Sequence, residues 1–446
     1  MRALAILFSI LLLIAKPAFP QSKTEIVEVQ QSLNLLGYNA GPIDGAWGGK
    51  TKNALSLFLA DNNFSSEALI NKRTLGLLRV KISEKPPLSS TLLKGVGVNT
   101  VALWSGTNLT VKTKNQFIEH INILNKNGFD HVTIIACADW IIDKKCKKSY
   151  QNEKNIVAFA RQAVSKTNLH VVLAMKAYEN KFIDGRTSSS LHDALQNDAK
   201  AREKFVKAWK RISIALADVP AHRLSFLLLN EPEFRFPKPS NSLRKNWESL
   251  AISAIQEIRD ITPDRVIIYE GIDLSNWTRR NKSGGYKTNN VSDIMRPLPF
   301  ENIIYSGHPS APDEFTKQAV YSGYKPGKPF SKKFARMINK DAKKFINWGK
   351  RHNVPLLVGE FGCIGFTDGK NEGPQNPEDC GNYASVIYSA YVENNVGVTW
   401  WSLENSRTIY KRPAADACPK IKQCPTWVPR NPQLDPNLMK AFRLWK

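Results

Sequence analysis

Apolar runs of strand length alternate with amphipathic helical segments from about residue 95 onward. A continuous apolar run is typical of a parallel strand that is covered on both faces. Strands and helices that alternate in this way predict a parallel α/β fold. The pattern gives eight candidate strands, at residues 95–103, 131–138, 170–177, 224–230, 265–271, 302–308, 355–360 and 397–403.

The segments between the candidate strands show helical periodicity. Phe205, Trp209 and Ile212 recur at the spacing of one helix face, and residues 247–258 repeat the pattern. Such a stripe is typical of a helix that packs against a core. Eight strands with helices between them predict a (β/α)8 TIM barrel over residues 94–446.

A small helical module is predicted before the barrel, at residues 23–80. Two apolar faces at helical spacing mark its first two helices: Val29, Leu33 and Leu36, then Ala54, Leu55 and Phe58. Gly37 follows the first face and is expected to end that helix. Residues 81–93, KISEKPPLSSTLL, are rich in Pro, Ser and Lys, a composition that predicts a linker.

The segment between the two helices reads LGYNAGPIDGAWGGKT. Gly41 and Gly45 provide the permissive backbone that tight turns need, and Asp44 is expected to close its turn with a side-chain hydrogen bond. With Val29 and Gln30 before it, the module resembles the three-helix peptidoglycan-binding domain. The resemblance implies peptidoglycan as a partner of residues 23–80. The alternative is a structural domain that has lost its ligand.

Residues 1–22 have the features of a secretory signal peptide. Arg2 precedes a mainly apolar run, which Lys16 and Pro17 end. The run is too short to span a membrane, and no later segment has about 20 uninterrupted apolar residues. We therefore expect an exported protein, periplasmic or secreted, with no transmembrane segment after signal removal.

The chain is strongly basic. Its 63 Lys and Arg residues outnumber 39 Asp and Glu residues, which gives a formal charge of +24 that is spread along the length. This charge favours anionic envelope polymers or acidic polysaccharide as partners. A lysine-rich surface without a specific partner explains it equally well. Nucleic acid is not expected as a partner, because no recognisable binding motif is present.

Six cysteines in an exported chain predict disulfides. The sequence alone allows fifteen pairings. Proximity along the chain suggests three of them: Cys137 with Cys146, Cys363 with Cys380, and Cys418 with Cys424. Each pair follows a candidate strand, so the disulfides would fix the walls of a cleft.

Two of the candidate strands end in a carboxylate. The run LSFLLLNEPE carries Asn230 and Glu231, and the run VPLLVGEFG carries Glu360. In a (β/α)8 barrel the C-terminal strand ends hold the catalytic groups. Glycosidic hydrolysis needs such a pair, because one carboxyl group protonates the departing oxygen while the other attacks the anomeric carbon. The alternative is that both carboxylates form structural ion pairs or caps at loop starts.

Motifs at four strand ends, NEP, YSGHPSAPDEFTKQ, LLVGEFG and VTWWSLENS, make the barrel resemble glycoside hydrolase family 5 and its wider clan of retaining enzymes. The resemblance implies that Glu231 is the general acid/base and Glu360 the nucleophile. It also implies that Asn230 and His308 bind the substrate and that Trp401 forms the floor of the sugar subsite.

These two roles need opposite protonation states. Glu231 has to keep a proton near neutral pH, which partial burial and the negative charge of Glu360 would favour. Glu360 has to stay ionised, helped by a donor such as His308. A retaining enzyme places the two carboxyl groups about 5 to 5.5 Å apart.

Three positions depart from the family pattern. Thr133 stands where the second strand usually carries an arginine, residues 175–177 replace a histidine pair, and Ser310 replaces a tyrosine. Lys176 is the candidate to restore the missing positive charge near Glu360. Because second- and third-strand residues shape the sugar subsite, these departures favour an unusual sugar.

Further aromatic residues, among them Trp104 and Trp140, fall in or beside loops on the face of the carboxylates and are expected to contact the substrate. The sequence thus predicts a retaining glycosidase for a β-linked glucan, mannan or related envelope polysaccharide or exopolysaccharide, with no metal and no organic cofactor. One alternative is a non-catalytic polysaccharide- or peptidoglycan-binding protein with a degenerate barrel. Another is a peptidoglycan-cleaving hydrolase.

Overall fold

The computed structural model describes most of the chain: residues 22–64, 68–84, 87–100, 111–144, 153–177, 180–183, 186–232, 241–272, 278–280, 286–288, 290–309, 313–316, 329–363, 378–403, 408–411 and 432–444. The predicted signal peptide lies outside these ranges, apart from Ser22. The chain divides into two compact units, Met1–Pro86 and Pro87–Lys446.

The N-terminal unit contains three helices, α1 (Lys23–Leu36), α2 (Gly49–Asp61) and α3 (Lys72–Glu84). The Ser22 hydroxyl accepts a hydrogen bond from the Glu25 amide, and the Glu25 carboxylate accepts one from the Ser22 amide, so a capping box begins α1. The helix ends at Gly37, whose φ of 94° is the left-handed cap conformation. These ends confirm the first predicted helix.

Gln30 is buried and fixes the loop between α1 and α2. Its amide nitrogen lies 2.9 Å from the Asp44 carboxylate, 3.0 Å from the Ala46 carbonyl and 3.2 Å from the Thr51 hydroxyl. Its amide oxygen accepts hydrogen bonds from the backbone amides of Asp44 and Gly45. The Asp44 carboxylate also accepts from the Ala46 amide at 2.8 Å, which is the predicted side-chain closure of the turn.

Replacing Gln30 by alanine is expected to lower the unfolding free energy of the N-terminal unit by about 2 to 3 kcal/mol, because several buried polar groups lose their partner. Hydrogen exchange of peptides from residues 23–80 measures this loss. Gln31→Ala, at the next and more exposed position of α1, is the control. Equal protection in the two variants would contradict the role of Gln30.

The second unit is a closed barrel of eight parallel strands. Each strand pairs with its neighbours in the chain, and the last strand pairs with the first. This arrangement confirms the predicted (β/α)8 TIM barrel. The barrel strands are β1 (Val96–Thr100), β2 (His131–Cys137), β3 (His170–Lys176), β4 (Leu224–Leu227), β5 (Ile267–Glu270), β6 (Ile303–Gly307), β7 (Leu356–Phe361) and β8 (Gly397–Trp400).

Helices cover the outside of the barrel. They are α4 (Val111–Lys126), α5 (Glu153–Lys166), α6 (Ser190–Asn197), α7 (Ala199–Ala215), α8 (Asn241–Arg259), α9 (Val291–Ile294), α10 (Asp313–Thr316), α11 (Lys332–His352), α12 (Asp379–Tyr391) and α13 (Pro436–Ala441). The predicted faces of α7 and α8 are buried, as their spacing indicates. Among the helices described, none is long and apolar enough to cross a membrane.

Alternation along the strands separates an outer core from the barrel interior. In β3, for example, Val171 and Leu173 pack in the outer cluster, whereas Val172 and Ala174 pack in the interior cluster. Lys176 continues the interior register at the C-terminal end of β3. The strand therefore places a lysine where the predicted site lies.

The predicted linker includes residues that belong to the barrel. Helix α3 continues to Glu84, and a short 3-10 turn spans Leu88–Ser90. Leu93 is buried and packs with the interior cluster of the barrel. The Ser89 amide donates a hydrogen bond to the Asn302 side chain at 3.2 Å. The leucines of this segment thus close one end of the barrel.

Candidate active site

Asn230 and Glu231 follow the fourth barrel strand. The backbone amide of Asn230 donates to the Met175 carbonyl at 2.7 Å, which extends the pairing with β3. Glu231 has a φ of 49°, in the left-handed region that few residues other than glycine adopt. Its backbone amide donates to the Glu270 carboxylate at 2.7 Å. This hydrogen bond stabilises the turn that directs Glu231 into the site.

Glu360 lies within β7, where the pairing with β8 shifts between Val358 and Phe361. In a regular strand Glu360 would point away from the barrel interior, because its neighbour Gly359 faces inward. The irregularity explains how Glu360 reaches the site, where it accepts a hydrogen bond from the Asn230 side chain at 2.9 Å. A Cβ atom at Gly359 would lie 2.3 Å from the Ser306 hydroxyl, so glycine is required there.

The two carboxyl groups meet at the C-terminal ends of β4 and β7. Glu231, His308 and Glu360 bring one side-chain atom each to within 4.8 Å of one another. One carboxylate oxygen of Glu231 thus lies within 4.8 Å of one of Glu360. This limit agrees with the separation of about 5 to 5.5 Å between the carboxyl groups of retaining glycosidases and is shorter than the separation of about 6.5 to 9.5 Å in inverting ones.

Lys176 forms an ion pair with Glu231. Its Nζ atom lies 2.6 Å from Glu231 Oε2 and 3.8 Å from Glu360 Oε1. The same atom lies 5.4 Å from the ring centroid of Trp401. The sequence predicted this positive charge beside Glu360, but the structure places it closer to Glu231, because β3 adjoins β4.

His308 links two carboxylates. Its Nδ1 atom lies 3.0 Å from Glu231 Oε1, and its Nε2 atom lies 2.8 Å from Glu270 Oε1. Glu360 is farther away, with Oε2 at 3.8 Å from Nδ1. The expected donor to Glu360 therefore bonds Glu231 and Glu270 instead.

Glu270, which the sequence analysis missed, is a third carboxylate of the site. It is 1% exposed and accepts hydrogen bonds from the Ser306 hydroxyl at 2.8 Å and the Glu231 amide at 2.7 Å. The sequence carries a signal for this carboxylate, because the apolar run VIIYE ends in Glu270. The strands that lead to Glu231 and Glu360 show the same pattern. Glu270 fixes both His308 and the backbone of Glu231.

The charges in the site oppose the expected protonation states. Burial disfavours the ionised form of Glu231, but Lys176 and His308 outweigh it and hold the pKa of Glu231 below its ordinary range. Burial raises the pKa of Glu360; Lys176 opposes this rise and the charge of Glu231 adds to it. These two directions are opposite to those expected for a protonated Glu231 and an ionised Glu360.

The same cluster contains the kinds of atoms that bind metals. Burial alone would lower the pKa of His308, but the charges of Glu270 and Glu360 and the hydrogen bond to Glu231 raise it well above the ordinary value. A protonated imidazole donates from both nitrogens and has no lone pair for a metal. Lys176 adds a second positive charge. These residues fit an ion-paired site better than a metal centre.

The predicted aromatic contacts have different outcomes. Trp401 is half-buried, and its ring lies beside Lys176, the residue that pairs with Glu231. Trp140 is half-buried in a 3-10 turn after β2 and packs against the outer hydrophobic core. Its contact with substrate stays a prediction. Trp104 lies outside the described residues.

A disulfide joins Cys363, just after β7, to Cys380 in α12, with Cα atoms 5.9 Å apart, as the sequence predicts. Cys137, at the end of β2, is also disulfide-bonded. Three cysteines of the predicted pairs lie outside the described residues: Cys146, Cys418 and Cys424.

The barrel and its paired carboxylates define a (β/α)8 protein of the glycosidase type, and comparisons with known proteins identify the family. The family model for cellulase, glycosyl hydrolase family 5, matches residues 90–407. The chain belongs to this family. A model for a putative peptidoglycan binding domain matches residues 13–74, which agrees with the resemblance of the N-terminal module.

Individual relatives are distant. Endoglucanase 3 of Fibrobacter succinogenes is 22% identical over 237 residues, which cover 45% of this chain and 32% of the relative, so the chain spans about a third of that protein. The cellulose synthase subunit Z of Clostridioides difficile has a similar fold, with a TM-score of 0.56, 21% identity and coverage of 78% of this chain and 99% of that one. The endoglucanase Cel5A of Thermotoga maritima has a TM-score of 0.57 at 19% identity, with coverage of 80% and 100%.

Proposed function

We propose that this protein is a retaining glycoside hydrolase that cleaves β-glycosidic bonds within a glucan or a related polysaccharide. The observation that carries the proposal is the approach of Glu231 and Glu360 to within 4.8 Å at the C-terminal ends of β4 and β7. That spacing suits direct attack by a carboxylate and is shorter than the separation at which inverting enzymes hold the attacking water.

In this mechanism Glu360 attacks the anomeric carbon while Glu231 donates a proton to the departing oxygen. A covalent glycosyl-enzyme forms on Glu360. Glu231 then takes a proton from water, and the resulting hydroxide equivalent releases the sugar with its configuration retained. Asn230 donates to Glu360 in the free site, and we propose that it binds the sugar 2-hydroxyl during attack.

The substrate class follows from the site and from the family. A half-buried indole, Trp401, borders the carboxylates and offers an apolar surface to the C–H face of a sugar ring. Structures of the Thermotoga maritima neighbour include complexes with cellobiose and mannotriose. We therefore favour β-glucans first and mannans second. Lys176, at a position where the family usually has histidine, favours a sugar that the common cellulases do not prefer.

We further propose that the protein is exported and acts at the cell envelope, in the periplasm or outside the cell. The apolar segment after Arg2 and the basic charge of the whole chain support this location. The peptidoglycan-binding module is proposed to retain the hydrolase at the wall. A polysaccharide in or near the wall is then its natural substrate.

Release of reducing ends from β-glucans, mannans and native exopolysaccharides tests the activity. Purified sacculi are included in the panel, and both the protein retained in the pellet and the muropeptides released are measured. Release from a glucan together with retention on sacculi supports the proposal. Muropeptide release without glucan cleavage would instead indicate a peptidoglycan hydrolase. No retention on sacculi would refute the wall-binding role.

A second candidate is a polysaccharide-binding protein without turnover. The ion pair between Lys176 and Glu231 favours it, because an ionised Glu231 cannot protonate a leaving group. Oligosaccharide binding without cleavage of any polymer in the panel would support this candidate.

A further inference from the structure

We propose that Lys176 is a positioning residue that decides which of the two carboxylates carries the proton, by moving its ion pair from Glu231 to Glu360 when the site becomes ready to react. This inference rests on the proposed hydrolase function. It assigns to Lys176 a role beyond contact with substrate.

The ammonium group of Lys176 has only a short distance to move in this exchange. Lys176 stands at the end of β3, and its side chain is 10% exposed. Its Nζ atom is 2.6 Å from Glu231 and 3.8 Å from Glu360. A movement of about 1 Å brings the ammonium to hydrogen-bond distance from Glu360. The ring of Trp401, with its centroid 5.4 Å from Nζ, gives the ammonium a favourable cation–π contact beside the two carboxylates.

The net charge of the cluster is the same whether Lys176 pairs with Glu231 or with Glu360. Three carboxylates, those of Glu231, Glu270 and Glu360, face two cations, Lys176 and protonated His308. One shared proton makes the buried cluster neutral. His192 of α6 interacts with Lys176 and Glu231, but burial lowers its pKa to about 3, so it is neutral.

In the free site Lys176 pairs with Glu231 and lowers the pKa of that carboxyl group, whereas burial raises the pKa of Glu360, so the shared proton favours Glu360. When the ammonium moves to Glu360, the proton moves the other way, from Glu360 to Glu231. The net charge does not change, so no uncompensated charge is created in a buried site, which would be costly. After the exchange Glu360 is ionised and Glu231 is protonated, as double displacement requires.

The pH dependence of kcat/KM in Lys176→Met tests the inference. Two substrates are used: a β-glucan, whose cleavage needs both carboxyl groups, and an activated aryl β-cellobioside, whose leaving group needs no proton. Loss of the cation raises the pKa of each carboxyl group, so both limbs of the β-glucan profile are expected to move to higher pH by about one unit or more. The acidic limb of the cellobioside profile should move in the same way. At neutral pH both rates should fall about tenfold, because a larger fraction of Glu360 is then protonated.

Lys176→Arg keeps the charge and is the matched control; its limbs are expected to stay near those of the wild type. If both limbs of the kcat/KM profile of Lys176→Met lie at the same pH as in the wild type, the inference is overturned and Lys176 has only a packing role. Faster β-glucan cleavage by Lys176→Met than by the wild type at neutral pH would also overturn it, because the lysine would then only block Glu231. A wild type inactive on both substrates would remove the proposed function itself, an outcome distinct from active protein with unmoved limbs.

Discussion

Replacing Glu360 by alanine is expected to lower the rate of β-glucan hydrolysis by about 10⁴-fold or more, the scale of loss seen when a catalytic nucleophile is removed. Alanine leaves no carboxylate to attack the anomeric carbon, and Asn230 loses the acceptor that it contacts at 2.9 Å. Initial rates of reducing-end release at several pH values measure the effect. Oligosaccharide affinity, measured separately, should change much less.

Glu203→Ala is the matched control for this variant. Glu203 lies on the exposed face of α7 in an ion pair with Lys207, so its removal should leave the rate unchanged. Added azide tests the role of Glu360 directly, because a small anion can enter the space of the missing carboxylate and form a glycosyl azide of inverted configuration. Wild-type rates in Glu360→Ala would refute the nucleophile assignment. Equal binding with no turnover in either protein would identify the chain as a binding protein.

The barrel could be predicted from the sequence because its strands are buried on both faces and therefore form continuous apolar runs. Among the residues that the structure describes, two short hairpins of this unit were not predicted. Residues 180–183 pair with 186–189, and residues 278–280 pair with 286–288, as short antiparallel hairpins after β3 and β5. Their polar sequences, such as NKFI and RTSS, show no clear alternation of apolar and polar positions, so periodicity gave no signal for a strand.

The positions of Glu231 and Glu360 could be predicted because a carboxylate after a buried strand is unusual and parallel strands end at one face. Their electrostatics could not, because these depend on which side chains turn toward each other. Strand order alone places Lys176 of β3 beside Glu231 of β4, with Glu360 across the barrel. This order was the only feature of the sequence that indicated which carboxylate pairs with Lys176. Glu270 carried the same strand-end signal but no motif.

Replacing Glu231 by alanine is expected to slow β-glucan cleavage by about 10² to 10⁴-fold, the range for loss of a general acid, while formation of the glycosyl-enzyme from an activated aryl β-cellobioside is largely kept. The difference arises because a good leaving group departs without a proton. The ratio of the two rates, measured by the burst of aryl alcohol and by reducing-end release, therefore reports the acid role alone.

Glu270→Gln is the control, since Glu270 holds His308 and the Glu231 backbone and its loss should slow both substrates together. If Glu231→Ala lowers the rates on both substrates by the same factor, Glu231 has a structural role, namely its ion pair with Lys176.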